Sequence, residues 1–506
     1  MISAPPAPID PSDEALLAAV HPSGWRNPEP ADRYNLVVIG AGSGGLVTAA
    51  VAAGLGARVA LVERDRMGGD CLNTGCVPSK AVIRAGRLAA EAHAAGLIAL
   101  GPAPGARPDF ATAMRRMRAV RADIAPHDSA ERFRDQLGVD VFFGDARFVS
   151  SDAIEVDGRR LRFRRAVIAT GARPGAPPVP GLAEAGFLTN ETVFSLRERP
   201  ARLAVIGGGP VGCELAQAFQ RLGVDVTLVE MGAQLLERED PDAAAIVARA
   251  LVRDGVRVLL SHRLDKVETD AGGKTLHCAS ASGSEAIAVD EILVAAGRVP
   301  NVEGLGLEAA GVEFDPRLGV RIDDFLRTTN RRVLAVGDCA LAWKFTHAAD
   351  AAAKLAVQNA LFLGRKRLSA LVMPWCTYTD PELAHVGLHE HEARERGMAT
   401  DTYEVPLEGN DRARCDGETE GFARIHTRKG SDRIVGATIV AAHAGEMISL
   451  VTTAITGGLG LGQLSGVIFP YPTQAEVLKA ASGLYMRTRL TPRVKRLFER
   501  WMRLTR

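Results

Sequence analysis

Apolar positions in this chain gather into short unbroken runs separated by glycine-rich turns. Leu36-Val37-Val38-Ile39 is followed by glycines, by an alanine-rich helical stretch and by a second run, Val59-Ala60-Leu61-Val62, that ends in Glu63. Runs without alternation suit strands buried on both faces, and strand, turn, helix and strand in this order predict a βαβ unit. The pattern returns at Leu203-Ala204-Val205-Ile206, with a helix predicted over 213–222 and a closing run Val226-Thr227-Leu228-Val229 before Glu230. The two units start about 170 residues apart, far beyond the roughly 20–50-residue period of a solenoid, so a nucleotide-binding element is repeated within one chain.

Beyond Val333-Leu334-Ala335-Val336-Gly337-Asp338 an alanine-rich segment predicts a helix. Residues 372–485 then alternate strand candidates at 423–426 and 434–438 with helices at 444–456 and 475–485, the pattern of a separate α+β domain. Residues 1–33 are rich in proline around one helical candidate, 13–20, and predict a surface extension.

Composition narrows the function classes. The chain has 506 residues, with 61 Lys+Arg against 60 Asp+Glu and a net charge of +1. That balance gives no global field for phosphate backbones, so nucleic acid is excluded as an expected partner. Fifty-two glycines without a collagen period point to tight turns and close backbone approaches. Seven irregularly spaced cysteines do not form a secreted disulfide framework, and the N-terminus lacks the pattern of a secretory signal, so a cytoplasmic location is expected. Two weakly charged stretches, 34–57 and 448–475, carry too many glycines and polar residues to read as membrane spans.

The first turn, Gly40-Ala41-Gly42-Ser43-Gly44-Gly45, matches Gly-x-Gly-x-x-Gly between strand and helix, with Glu63 placed 23 residues after Gly40 to accept from a ribose hydroxyl. Gly207, Gly209 and Gly212 repeat the motif, and Glu230 falls at the same 23-residue offset. A carboxylate there repels a 2′-phosphate, and no Arg follows immediately, so NADH is expected ahead of NADPH.

Between the motifs lies Gly68-Gly69-Asp70-Cys71-Leu72-Asn73-Thr74-Gly75-Cys76-Val77-Pro78-Ser79-Lys80. The spacing of Cys71 and Cys76 is wrong for a zinc knuckle, and no second ligand pair follows, so no metal site is expected. In a regular helix residues five apart are separated by about 8.7 Å, beyond the roughly 7 Å reach of a disulfide, so a redox pair here requires a distorted first turn. Gly75 supplies the freedom, and Pro78 suits the start of a regular helix. A helix N-terminus would stabilise a thiolate in this position.

These blocks, with Ala169-Thr170-Gly171-Ala172-Arg173-Pro174, Ala295-Ala296-Gly297-Arg298-Val299-Pro300-Asn301 and Ala335-Val336-Gly337-Asp338-Cys339-Ala340, closely resemble the class I FAD-dependent pyridine nucleotide-disulfide oxidoreductases. The resemblance runs from about Tyr34 to Tyr485. It implies an α/β fold with two Rossmann-type dinucleotide-binding domains, FAD at 34–174 and 296–365 and NAD(P) at 175–295. A C-terminal α+β dimerisation domain at 366–486 would make a homodimer. It further implies that Gly40, Gly42, Gly45, Glu63, Lys80, Ala146, Thr170, Gly171 and Asp338 bind FAD, and that Gly207, Gly209, Gly212, Glu230 and Gly297 bind the nicotinamide cofactor, with Glu214 on the nicotinamide path. Cys71 and Cys76 would form a redox-active disulfide, with Cys76 facing the flavin and Cys71 meeting the acceptor, a metal ion or a small molecule such as a disulfide or a quinone.

The sequence departs from disulfide-reducing relatives where they carry a catalytic His followed by Glu. Tyr471 stands in that place, with Glu476 after it. A phenol is a poor base near neutrality, so dithiol chemistry of the dihydrolipoyl dehydrogenase kind is disfavoured and a mercuric-reductase-like acceptor is favoured. The seven cysteines include neither a vicinal Cys-Cys nor a Cys-x-x-Cys pair of the kind mercuric reductases carry. A flavin redox sensor or electron-transfer subunit is the reading from another class. His385, His389 and His391 sit in a Glu/Arg-rich stretch and are expected to be mostly exposed.

Residues 487–506 form a basic amphipathic tail. From Tyr485 to Arg506 there are eight Lys/Arg and one Glu, while Leu490, Val494, Leu497, Phe498, Trp501 and Leu504 share one helical face and Thr491-Pro492 provides the start. Through 491–506 the tail is expected to meet the inner membrane surface, a protein partner or its own dimer.

Overall fold

In a computed structural model, residues 10–96, 108–270, 273–281, 283–362 and 364–506 are described. Prolines 5, 6 and 8 of the extension lie outside them. The chain divides into two compact units, one of Met1–Gly207, Ala218–Val226 and Leu264–Leu371, the other of Gly208–Gln217, Thr227–Arg263 and Val372–Arg506.

The first unit is built on a sheet of seven strands. Asp140–Phe143, Val59–Glu63, Tyr34–Ile39 and the end of Arg159–Ile168 run parallel in that order, and Val333–Ala335 pairs with the far side of Arg159–Ile168. The start of Arg159–Ile168 belongs to an antiparallel meander with Ala153–Val156 and Ala146–Ser150. Leu36, Val37, Val38, Leu61, Ala166 and Val167 are fully buried, the strand environment that the unbroken apolar runs require. The strands ending at Ile39, Ile168 and Ala335 lie side by side, so Gly40, Thr170-Gly171 and Asp338 emerge together at their carboxyl ends, where open α/β sheets bind ligands.

The N-terminal extension packs on the chain's own first sheet. Its helix, Pro11–Val20, buries Leu16 and Val20, and Arg118 and Arg121 bind Asp10 and Asp13 at 2.9 and 2.6 Å. Asn27 pairs through its side-chain amide with both backbone groups of Phe143, so the edge strand is covered rather than left open.

The second repeat contributes Arg202–Ile206 paired in parallel with Glu291–Val294 in the first unit, and Thr227–Val229 paired with Arg257–Leu259 in the second. The second unit also holds an antiparallel sheet ordered Pro374–Thr377, Glu382–Gly387, Ile434–Ala441, Phe422–Arg428 and Thr400–Pro406. Helices Ala444–Thr456 and Glu476–Arg489 pack against it over a core that includes Ile425, Ile439, Val451 and Leu478.

The expected exposure of the histidines is corrected here. His385 lies in Glu382–Gly387 and His389 just beyond it, and both are buried, while His391 is exposed. The charged stretch conceals a strand end covered by Glu239 and Asp240, the residues leading into helix Pro241–Arg253. Trp375 Nε1 donates to Glu239 at 2.6 Å, and Asp240 lies 3.4 Å from His389 and 3.1 Å from Arg424. The His385 and His389 rings stack with centroids 3.6 Å apart, and Glu239, His385 and His389 each bring a possible ligand atom within 4.8 Å of the others.

Candidate functional site

Each glycine turn is fixed by close backbone contact and by a carboxylate. Gly40 has φ +97°, and a Cβ there would lie 2.5 Å from the carbonyl oxygen of Ala169; a Cβ on Gly45 would fall 1.8 Å from that of Gly40. No side chain fits at either position. Glu63 accepts from Ala41 N at 2.7 Å and Asp65 N at 2.9 Å, and burial pushes its carboxyl above the ordinary range. In the second unit Glu230 repeats the arrangement, accepting from Gly208 N at 2.6 Å and Gly232 N at 2.5 Å. Gly42 precedes the helix Ser43–Gly54 and offers no side-chain cap, which leaves the helix N-terminus for an anion. Gly207 has φ +109°, and Gly209 and Gly212 lie at the start of Pro210–Arg221.

The cysteines occupy two different helices. Cys71 lies in the five-residue helix Gly69–Asn73, whereas Cys76 opens the long helix Cys76–Gly96. The break at Thr74-Gly75 is the distortion that the spacing requires, held by Thr74 Oγ1 donating to Asp70 at 2.6 Å. In the reduced pair the side-chain hydrogen bond to Cys76 pushes the Cys71 thiol up, together with burial. The same bond draws Cys76 down to about 6 against the effect of burial, helped by Thr346 and by the charge of Lys80 one turn along the helix. Cys76 Sγ and Thr346 Oγ1 are 3.1 Å apart, and Thr346 is the first residue of helix Thr346–Leu361. Cys76 therefore sits at one helix N-terminus and beside another, both favouring the thiolate.

These residues line one cavity of about 470 Å³, with Gly40, Gly42, Glu63, Asp70, Cys71, Cys76, Thr170, Gly171, Arg298, Asp338 and Thr346 on its wall. Thr170 is clamped to Asn301 in both directions, at 2.6 and 2.9 Å. Arg298 lies 2.7 Å from Asp70 and 3.3 Å from Asp338, whose carboxyl is pushed up by burial. Arg298, Thr346, Asp70 and Asn190, which donates to Asp70 at 2.8 Å, were not singled out from sequence. Arg298 follows Gly297 inside a recognised block, so its signal was present, while Thr346 lies 270 residues from Cys76 without a motif of its own.

Other expected site residues fall elsewhere. Lys80 lies off that wall and lines a second, smaller hollow with Val77, Arg84 and Val120, which Cys76 shares. Ala146 is buried at the start of its strand, within the hydrophobic core and off the cavity wall. Gly297 has φ +103° with open space at its Cβ position. Glu214 is buried in the second unit, where it accepts from Tyr378 N at 2.9 Å. Tyr471 is exposed in the second unit, its hydroxyl donating to Asp411 at 3.1 Å, which raises its pKa. Glu476 accepts from Thr473 N at 3.4 Å at the start of its helix.

Residues 34–353 match the model of the pyridine nucleotide-disulphide oxidoreductases, and residues 373–482 match that family's dimerisation domain. The chain belongs to this family. It is a flavin-dependent oxidoreductase that uses FAD and NAD(P)H and carries the domain through which the family dimerises. Among curated relatives, the mercuric reductase of Bacillus cereus is 35% identical over 457 residues, covering 88% of this chain and 71% of the relative. The mercuric reductase of Streptomyces lividans is 35% identical, with 89% and 96% covered. The dihydrolipoyl dehydrogenase of Chlamydia muridarum is 32% identical, with 91% and 98% covered. Among solved structures, the HOCl-induced flavoprotein disulfide reductase RclA from Escherichia coli superposes with a TM-score of 0.80 at 28% identity, over 89% of this chain and all of the other. The family's FAD fits the first unit on this chain's own chemistry: glycines that admit no Cβ, a helix N-terminus without a side-chain cap, and a strand-end carboxylate on the same cavity as the two thiols.

Proposed function

We propose that this enzyme takes electrons from NADH and delivers them through Cys71 and Cys76 to a soft metal ion, in the manner of a mercuric reductase. The observation that carries the reading is the single cavity shared by the first glycine motif, Glu63, Asp338 and both cysteines. When bound, FAD supplies the two-electron relay between nicotinamide and sulfur. Arg298 and Asp338 hold the cysteine segment against the sheet edge, Thr346 and Lys80 keep Cys76 as the thiolate, and Cys71 keeps its proton until an acceptor arrives. Two thiolates five residues apart in sequence are suited to a soft cation, which prefers sulfur.

Tyr471 supports a metal acceptor over a dithiol. Held by Asp411 above its ordinary pKa, the phenol does not serve as a base near neutrality. Glu230 supports NADH, since its carboxylate closes the second motif and would oppose a 2′-phosphate. We assign FAD to 34–174 and 296–365, nicotinamide to 175–295 and the dimer contact to 366–486. The test is anaerobic reduction with NADH and, separately, NADPH, followed by reoxidation with Hg(II), Cu(II), quinone, lipoamide or small disulfides. Fast reoxidation by a soft metal ion supports the reading; fast reoxidation by lipoamide alone overturns it in favour of a dihydrolipoyl dehydrogenase.

A further inference from the structure

The helix Pro492–Leu504 lies beyond the dimerisation-domain match and buries none of its side chains. Its start is nonetheless specified: Thr491 Oγ1 accepts from Val494 N at 3.4 Å and Pro492 occupies the first turn. At about 100° per residue, Val494, Leu497, Phe498, Trp501, Met502 and Leu504 fill roughly half of the circumference without a polar interruption. Leu497 is 64% exposed, Trp501 62% and Leu504 82%. Arg493 and Lys495 border that half, and Arg496, Arg500 and Arg503 occupy the other together with Glu499. A helix of 13 residues is marginal alone in water, and one with a bare apolar half needs a surface to lie on.

We propose that this helix lies in the plane of an anionic lipid surface, with Leu497, Phe498 and Trp501 inserted at the level of the headgroups and the cations spread among the phosphates. Charge selects this occupant. The chain has 61 basic and 60 acidic residues, and eight and one of these fall in 485–506, so the tail carries +7 while the remainder carries −6. An anionic surface attracts the tail and repels the net charge of the remainder. Arg493 and Lys495 at the border of the apolar half can bury their stems and keep their charge in the headgroup layer. The inference holds whichever acceptor the enzyme reduces. No helix of the described residues is long and apolar enough to cross a membrane, so the contact is peripheral.

The experiment sediments the full FAD-loaded enzyme with vesicles of phosphatidylcholine containing about 30 mol % phosphatidylserine, and with phosphatidylcholine alone. The wild type is expected to bind the anionic vesicles, with a bound-to-free ratio at least about tenfold higher than on neutral ones and reduced by high salt. Arg493→Gln and Lys495→Gln should each weaken binding about fivefold. Leu497→Glu with Trp501→Glu should abolish it while the dimer and NADH-dependent turnover persist. Failure of the wild type to bind anionic vesicles, or equal binding to both vesicles, overturns the inference. So does a Leu497→Glu/Trp501→Glu enzyme that becomes monomeric yet still binds vesicles, because the apolar half would then cover a second copy of the chain.

Discussion

Arg298 places one guanidinium 2.7 Å from Asp70, the residue before Cys71, and 3.3 Å from Asp338, just past the strand Val333–Ala335. Its Nη2 also donates to the carbonyl of Ala172 at 2.7 Å. Three segments far apart in sequence are thereby tied together at the cavity wall. Arg298→Met should cost about 1–2 kcal/mol locally, a value reduced by the partial exposure of the pair. The expected outcome is loss of FAD on gel filtration, with Arg298→Lys intermediate. Full FAD retention in Arg298→Met would contradict the role assigned to the ion pairs.

Cys76 has a pKa drawn down to about 6, and the sign of its pH dependence follows. Above that value it is a thiolate in the reduced enzyme; below it the sulfur is protonated and loses nucleophilicity. Ultraviolet thiolate absorbance of the reduced enzyme should therefore disappear as pH falls through about 6. Thr346→Val and Lys80→Met should each move the midpoint upward, because each removes a group that favours the charged form. A midpoint unmoved in both variants would show that neither group acts on Cys76.

Tyr471→His should add the imidazole that the sequence lacks and increase NADH formation from dihydrolipoamide by about tenfold to a hundredfold. Tyr471→Phe should leave that slow reaction unchanged. Steady-state assays on the dimeric holoenzyme decide between these outcomes.

Glu230→Ala removes the acceptor for Gly208 N and Gly232 N and the negative charge expected beside the ribose. The KM for NADH should rise about tenfold, while NADPH should gain relative to NADH. Unchanged KM values for both nucleotides would place the nicotinamide cofactor elsewhere.

Much of this architecture is legible in local sequence because its causes are local. Gly40 and Gly207 mark turns that need positive φ, and Glu63 and Glu230 end strands at equal offsets. Thr74-Gly75 marks the break between the cysteine helices. The contribution of Thr346 was not legible, since its approach to Cys76 depends on how helix Thr346–Leu361 packs in the first unit. The burial of the histidines is hidden in the sequence for a related reason. Glu/Arg-rich composition describes an exposed helix Glu390–Glu395 well, yet His385 and His389 belong to a strand end that Glu239 and Asp240 cover from elsewhere in the chain. The N-terminal extension likewise packs through Asn27 and Phe143, a pairing that spacing along the chain does not reveal.

The central claim is that electrons leave the enzyme through Cys71 and Cys76, and an anaerobic NADH titration of the wild type beside Cys71→Ser and Cys76→Ser tests it directly. The wild type should take up about two equivalents of NADH per bound FAD and each variant about one, because the disulfide is the second electron-pair acceptor. The variants should also lose metal-ion reduction while keeping their FAD. Equal uptake in all three proteins, with turnover unchanged in both variants, would contradict the account.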